Sequence, residues 1–175
     1  MSYFATALAK IDGEWQGSEL DLDEVEGLED VADAALALEP EDGLVIVLVE
    51  HDHWFGIVRV QDDDEPRTYV SDASEAARTS LGELLLPELA ARRDFADLSD
   101  IPDVAELDES DDELSDVSGS DLPDGPMGEV GLLDDLGVTG GDLTLIATKT
   151  GLPPTDAIVE IAGRIGAAEA LEELR

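Results

Sequence analysis

The sequence predicts an α+β fold, in which an antiparallel sheet of about five strands is packed with helices. Three observations support this prediction. Strand patterns are concentrated in the first 70 residues, where six of the seven aromatic residues also lie. Short polar turns connect these patterns, as in antiparallel hairpins. Apolar residues at helical spacing occur between the hairpins and again near the C-terminus.

The first hairpin is predicted from alternation and from a turn dipeptide. Alternate residues would share one face of the first strand: Tyr3, Ala5, Ala7, Ala9 and Ile11. Asp12-Gly13 follows this strand and is a strong signal for a tight hairpin turn. A second strand is therefore expected around Trp15.

A second hairpin and a further strand would complete the sheet. The continuous apolar run at residues 44–49 is typical of a central strand that is covered on both faces. A polar turn separates it from a strand at residues 54–60. A charged turn at residues 62–66 then precedes a short strand at residues 67–70.

Two helical patterns accompany these strands. Between the hairpins, apolar residues repeat at helical spacing: Val25, Leu28, Ala32, Ala35 and Leu36. Asp23 and Glu26 resemble a capping box at the start of this helix. The second pattern begins near Ser71 or Asp72, and Gly82 and Pro87 predict breaks before Arg92-Arg93.

The remaining chain divides into an acidic tract and a helical segment. The tract is rich in Asp, Glu, Ser, Pro and Gly and has no Lys or Arg, which is typical of disorder. Short amphipathic helices follow, with predicted starts at Thr139 and Thr155 and predicted ends at three glycines: Gly137, Gly151 and Gly166. The predicted domains are an α+β sheet domain (1–93), an acidic disordered linker (94–125) and a small helical module (126–175).

The charge of the chain restricts its partners. Asp and Glu number 45 against 9 Lys and Arg, which gives a formal net charge of −36 over 175 residues. Nucleic acids and anionic membranes would repel such a chain, so neither is expected as a direct partner. No targeting segment is recognised, and the apolar run at 44–49 is too short to span a bilayer. We expect a cytoplasmic protein whose partner is a protein with a basic surface.

No metal site is assigned from the sequence. His51 and His53 are two residues apart and could chelate a metal, but they fall where a hairpin turn is required and have no third ligand at a motif spacing. Three acidic groups resemble fragments of calcium loops, and none completes an EF-hand pattern. These groups are Asp21/Asp23, Asp62/Asp63/Asp64 and Asp108/Asp111/Asp112.

No catalytic or cofactor-binding residues are assigned, and no cofactor is expected. The chain has no cysteine, so thiolate nucleophiles are excluded, and it has no nucleophile-elbow motif. Lys149-Thr150 lacks the glycines of a phosphate loop, because Leu143 and Thr148 stand at those positions. The sequence therefore predicts that the protein is not an enzyme. The main aromatic residues are interpreted as core rather than as a recognition surface: Trp15, Trp54, Phe55 and Tyr69.

The order of several segments resembles the actinobacterial tRNA adenosine deaminase-associated proteins. The segments are MSYFATALA from Met1, GEW from Gly13, LVIVLVE from Leu44, WFGIVRV from Trp54, VSD from Val70, LLL from Leu84, LDDLG from Leu133, LPPTDA from Leu152 and LEELR from Leu171. The resemblance extends nearly from end to end and includes the acidic middle. It implies an association with a deaminase and carries over no catalytic residue.

The resulting prediction is a non-enzymatic, highly acidic accessory protein that acts through protein–protein contact. The resemblance points to the tRNA adenosine deaminase as its partner. A zinc deaminase itself needs a His-x-Glu element and Pro-Cys-x-x-Cys, and a chain without cysteine cannot provide them. Two alternatives remain open at this stage. One is a small-molecule-binding domain or enzyme with a dispersed carboxylate pocket, and the other is acidity that serves solubility, as in salt-adapted proteins.

Overall fold

The computed structural model describes residues 3–62, 64–86 and 125–174. Within these ranges, six strands form one antiparallel sheet in the order β2-β1-β3-β4-β5-β6. The strands are β1 (Phe4–Ile11), β2 (Glu14–Glu19), β3 (Leu44–Glu50), β4 (Phe55–Gln61), β5 (Asp64–Val70) and β6 (Met127–Gly128). The predicted α+β class is confirmed, and the sheet has one short strand more than expected.

The turn between β1 and β2 forms as its dipeptide predicts. Asp12 and Gly13 have φ angles of 55° and 80°, and positive φ at both central positions is the geometry of a tight turn that matches the twist of a hairpin. Ile11 pairs with Glu14 directly beyond this turn. The predicted first hairpin is therefore confirmed.

Helices cover both faces of the sheet. On one face lie α1 (Leu28–Leu36), α2 (Ala73–Ala76) and α3 (Ser80–Leu85). On the other face lie a short 3₁₀ turn (Asp134–Leu136) and the helices α4 (Gly140–Thr148), α5 (Pro154–Ile165) and α6 (Ala168–Glu172). The residues predicted as a C-terminal helical module thus share a hydrophobic core with the sheet.

Strand β3 shows why the run at 44–49 is apolar throughout. Side chains alternate across a strand, so Val45 and Val47 pack toward the α1–α3 layer, whereas Ile46 and Leu48 pack toward the α4–α6 layer. All four side chains are fully or almost fully buried. The prediction of a central strand covered on both faces is confirmed.

The N-terminal helices begin at other residues than the sequence predicts. Helix α1 starts at Leu28 with Gly27 as its N-cap, so the capping box expected from Asp23 and Glu26 is wrong. The Asp23 N–H donates instead to the Asp21 carboxylate, and the Glu26 N–H donates to the Asp30 carboxylate. With so many carboxylates nearby, other acceptors satisfy these donors.

The break in the second helical region lies before Gly82 rather than at it. Helix α2 ends at Ala76, and Thr79 caps α3 by accepting a hydrogen bond of 2.9 Å from the Gly82 N–H. Gly82 is therefore an interior residue of α3. Its prediction as a break is wrong because its missing side chain serves close packing against α2. Pro87 and Arg92-Arg93 lie outside the described residues.

In the C-terminal layer, one of the two predicted helix starts is confirmed. Thr139 caps α4, and Asp142 completes a capping box by accepting the Thr139 N–H. Thr155 lies one residue inside α5, where its hydroxyl donates to the Glu50 carboxylate rather than capping the helix. Helix α5 ends at Gly166 with a φ of 84°, as glycine permits. The predicted linker falls almost wholly outside the described residues, and the domain boundaries stay a prediction.

Candidate functional site

The two histidines lie in the turn between β3 and β4, where the sequence requires a polar turn. The His51 N–H donates to the Trp54 carbonyl at 2.9 Å, and the His51 ring stacks on the Trp54 ring with centroids 5.6 Å apart. His53 is exposed. Over the described ranges, no group of three or more His, Cys, Asp and Glu residues is arranged to hold a metal ion.

The carboxylate of Asp21 organises the loop before α1. It accepts the Asp23 N–H at 3.0 Å and the Tyr3 hydroxyl at 3.4 Å. The Tyr3 oxygen in turn accepts the Leu22 N–H at 2.9 Å. Burial raises the pKa of the Tyr3 hydroxyl, so it remains protonated and can donate at neutral pH. Of the other acidic groups considered above, Asp63 and residues 108–112 lie outside the described residues.

The aromatic residues belong mainly to the core. Trp54, Phe55 and Tyr69 are buried, which confirms the interpretation that they belong to the core. Burial raises the pKa of Tyr69 to about 12, so its hydroxyl is protonated at physiological pH. Trp15 is half-buried against the α4–α6 layer.

Most basic side chains of the described residues are engaged in intramolecular ion pairs. The Arg59 guanidinium donates to both Asp135 carboxylate oxygens, at 2.6 and 2.9 Å, and also to the Leu132 carbonyl. This hydrogen-bonded pair lowers the pKa of Asp135 and raises that of Arg59. The other pairs are Arg67 with Glu129, Arg78 with Glu75, Lys149 with Glu160, and Arg164 with Asp142 and Glu160. Except for Lys10, every basic residue of the described ranges lies in such a pair.

A surface groove runs between the start of α1 and α3, and we call it the α1–α3 groove. One part is a cavity of about 720 Å³ at the first turn of α1, and a second cavity of about 310 Å³ continues to Tyr3 and His51. Val25, Ser80 and Leu84 line both cavities, so the two form one continuous depression.

The groove combines an apolar floor with an acidic rim. Its apolar residues are packed against the core of the same sheet face: Leu22, Val25, Leu28, Leu81 and Leu84. Its acidic residues are all exposed: Asp23, Glu26, Glu29, Asp30 and Glu83. Neither Lys nor Arg lines either cavity.

Sequence reasoning did not find this groove. It assigned Val25 and Leu28 to one face of a single helix, whereas Val25 lies in the loop that precedes α1. A local signal does exist, because Leu22 and Val25 are apolar residues within a strongly acidic stretch. The partner wall, α3, lies more than 50 residues away in the chain, so the pattern alone could not bring the two together.

Fold and surface together define an acidic α+β protein whose described residues form an open, acid-rimmed groove. Among these residues, no helix is long and apolar enough to cross a membrane. Over residues 3–168 the chain matches the family described as Rv3753c-like tRNA adenosine deaminase-associated protein, and it belongs to that family. The match covers most of the chain and confirms the resemblance found in the sequence. No match was found among curated proteins or among solved structures.

Proposed function

We propose that this chain is a non-enzymatic accessory protein that binds the tRNA adenosine deaminase in the cytoplasm. The observation that carries the proposal is the large excess of acidic charge, since 45 acidic residues stand against only 9 basic ones. The net charge is −36, and the basic residues described above are largely taken up by internal pairs. The name of the family, which refers to association with this enzyme, supports the choice of partner.

Electrostatic complementarity explains why such a partner suits this chain. An enzyme that binds tRNA presents basic surface to the phosphate backbone. An acidic protein is attracted to that surface, and the attraction increases the rate of encounter. The acidic tract adds to the attraction, since every third residue from Asp94 to Asp112 is Asp or Glu. The accessory protein would therefore approach the basic side of the enzyme.

The catalytic groups of deamination would come from the partner. A zinc deaminase holds its metal with cysteine thiolates and moves protons with a glutamate beside a histidine ligand. This chain has no cysteine, and its histidines form the turn between two strands. In the proposed complex, the accessory protein contributes no group to the chemical step.

The proposal is tested by titrating the full chain with the tRNA adenosine deaminase of the same organism. We expect a complex at about 50 mM NaCl whose affinity falls at least tenfold at about 300 mM NaCl, because screening weakens attraction between exposed charges. Isothermal titration calorimetry measures both affinities. Absence of a complex at the lower salt concentration would remove this partner. Deamination of a tRNA substrate by the chain alone would overturn the non-enzymatic role.

A further inference from the structure

We infer that the α1–α3 groove binds a basic amphipathic helix of the partner protein. This inference rests on the proposed function, which itself requires only that some surface of the chain contacts the deaminase. The inference adds to that proposal the place of contact and the chemistry by which the partner is recognised. A ligand of the groove must match three of its features, which are the apolar floor, the acidic rim and the open shape.

The apolar floor of the groove favours a ligand with apolar side chains. Val25, Leu81 and Leu84 are half-buried, so part of each side chain still contacts water within the groove. Covering that surface is favourable, at about 25 cal/mol for each Å² removed from water. The larger cavity of the groove is open to solvent, whereas sites for small molecules enclose most of the ligand. A long ligand with an apolar stripe fits this shape better than a small molecule does.

The acidic rim favours a ligand that carries positive charge on both sides of its apolar stripe. Glu26, Glu29 and Asp30 lie on the α1 side, and Glu83 lies on the α3 side. Within the part of the chain that the structure describes, no Lys or Arg forms an ion pair with these four carboxylates. Nucleic acid and anionic lipid would be repelled. Lys or Arg side chains flanking an apolar stripe would be attracted.

The walls of the groove favour a helix over an added strand. Strand addition requires an unpaired sheet edge, and the edges of this sheet are β2 and β6. The groove lies instead between α1, its preceding loop and α3, where recognition must use side chains. A helix with apolar residues at i, i+4 and i+7 and with basic residues on both flanks meets these conditions.

The test compares two triple variants of the full chain that remove the same number of charges. The groove variant is Glu26→Gln, Glu29→Gln and Glu83→Gln. The control is Glu169→Gln, Glu172→Gln and Glu173→Gln, at exposed positions in and after α6 on the opposite side of the sheet. We expect the groove variant to bind the deaminase at least tenfold more weakly and with a smaller salt dependence, while the control changes affinity less than threefold. Equal losses in both variants would overturn the inference and leave the proposed function standing.

A second pair of variants tests the apolar floor. Leu84→Ser removes apolar surface within the groove, and Leu145→Ser removes it from α4, where Leu145 is 68% exposed. We expect at least fivefold weaker binding for Leu84→Ser and unchanged binding for Leu145→Ser. Thermal melts show whether each variant is folded at the temperature of the titration. Unchanged binding by a folded Leu84→Ser variant would contradict the proposed role of the floor.

The experiment must also distinguish a helix of the partner from an occupant supplied by the chain itself. Arg92-Arg93 is the only adjacent basic pair in the sequence and follows α3 by a few residues. If these arginines occupied the groove, Arg92→Gln with Arg93→Gln would strengthen binding of the deaminase at least threefold, and that result would overturn the inference. Unchanged or modestly altered affinity supports a partner helix as the occupant. A synthetic Leu/Arg amphipathic peptide that binds the wild type but not the groove variant gives independent support.

Discussion

Gly82 lies inside α3, where its lack of a side chain allows α3 to pack against α2. A Cβ atom added to Gly82 would lie 1.8 Å from the Ala76 carbonyl oxygen, and this neighbour is backbone that cannot move cheaply. We expect Gly82→Ala to lower the free energy of unfolding by about 3 kcal/mol, since overpacking displaces the two helices. Urea denaturation measures the change.

A second helical glycine provides the control for Gly82. Gly163 is exposed within α5, and an added Cβ would meet no atom within 4 Å beyond its chain neighbours and the backbone of its own helix. Gly163→Ala is expected to raise the free energy of unfolding by about 0.5–1 kcal/mol, because alanine loses less backbone entropy in a helix. Equal stability of the two variants would show that α2 and α3 do not pack as closely as described.

Asp135 makes a pH-dependent contribution to stability through its pair with Arg59. The hydrogen bond from Arg59 lowers the pKa of Asp135 in the folded state. The pair therefore stabilises the protein above the unfolded pKa of aspartate, and this stabilisation is lost as the pH falls through the lower folded pKa. Because the Asp135 side chain is 56% exposed, the contribution at neutral pH is at most about 1 kcal/mol.

The substitution Asp135→Asn tests this linkage. We expect it to lower the free energy of unfolding by about 0.5–1 kcal/mol at pH 7, and the difference from wild type to shrink as the pH falls below the ordinary pKa of aspartate. Urea denaturation over a series of pH values follows the difference. Glu172→Gln, at an exposed residue of α6 outside the ion pairs described above, is the control. A difference for Asp135→Asn that stays constant with pH would exclude the charge of Asp135 as its cause.

At the level of elements, sequence patterns predicted those turns and strands whose structure depends on residues that are close in the sequence. Asp12-Gly13 specifies its turn by its own backbone preferences. Alternation assigns one face of β1, and the continuous apolar run of β3 shows that both of its faces are covered. Strand β6 was not predicted, because two residues carry no periodic signal and it exists only through pairing with Tyr69 and Val70. The start of α1 was predicted too early, since Asp23 and Glu26 find other hydrogen-bond partners.

The groove was not predicted because it is a tertiary feature between two elements. Helix α1 packs on β3, β4 and β5, and α3 packs on β5, so the sheet brings their acidic ends together. Glu29 and Glu83 have no sequence pattern in common. Moreover, in a chain with 45 acidic residues no spacing between carboxylates is informative. The groove is defined by the tertiary contacts of its apolar residues, above all Val25 and Leu84, which line both cavities.

At the scale of the whole molecule, the acidity that would attract a basic partner also opposes folding. Like charges repel one another more strongly in the compact state than in the unfolded chain. The internal ion pairs offset this repulsion only in part, because exposed pairs contribute about 0–1 kcal/mol each. Most of the 45 acidic residues have no such pair among the described residues. Salt should therefore stabilise the fold.

We expect the melting temperature to rise by about 5 °C between roughly 10 mM and 500 mM NaCl, because salt screens repulsion that extends over many residues. Scanning calorimetry or circular dichroism measures the shift. The triple variant Glu169→Gln, Glu172→Gln and Glu173→Gln should melt at a higher temperature in low salt and respond less to added salt. A melting temperature that falls with salt would mean that attraction within the ion pairs outweighs the repulsion.

The same salt series distinguishes the two explanations of the acidity. If the charge serves only solubility, added salt stabilises the fold and no complex with the deaminase forms at any concentration. If the charge serves docking, salt has opposite effects on the two equilibria, since it screens repulsion within the chain and attraction between the chains. We therefore expect the melting temperature of the isolated protein to rise while its affinity for the deaminase falls over one range of NaCl. Affinity that rises with salt would indicate an apolar contact without an electrostatic contribution and would contradict the docking role of the acidic residues.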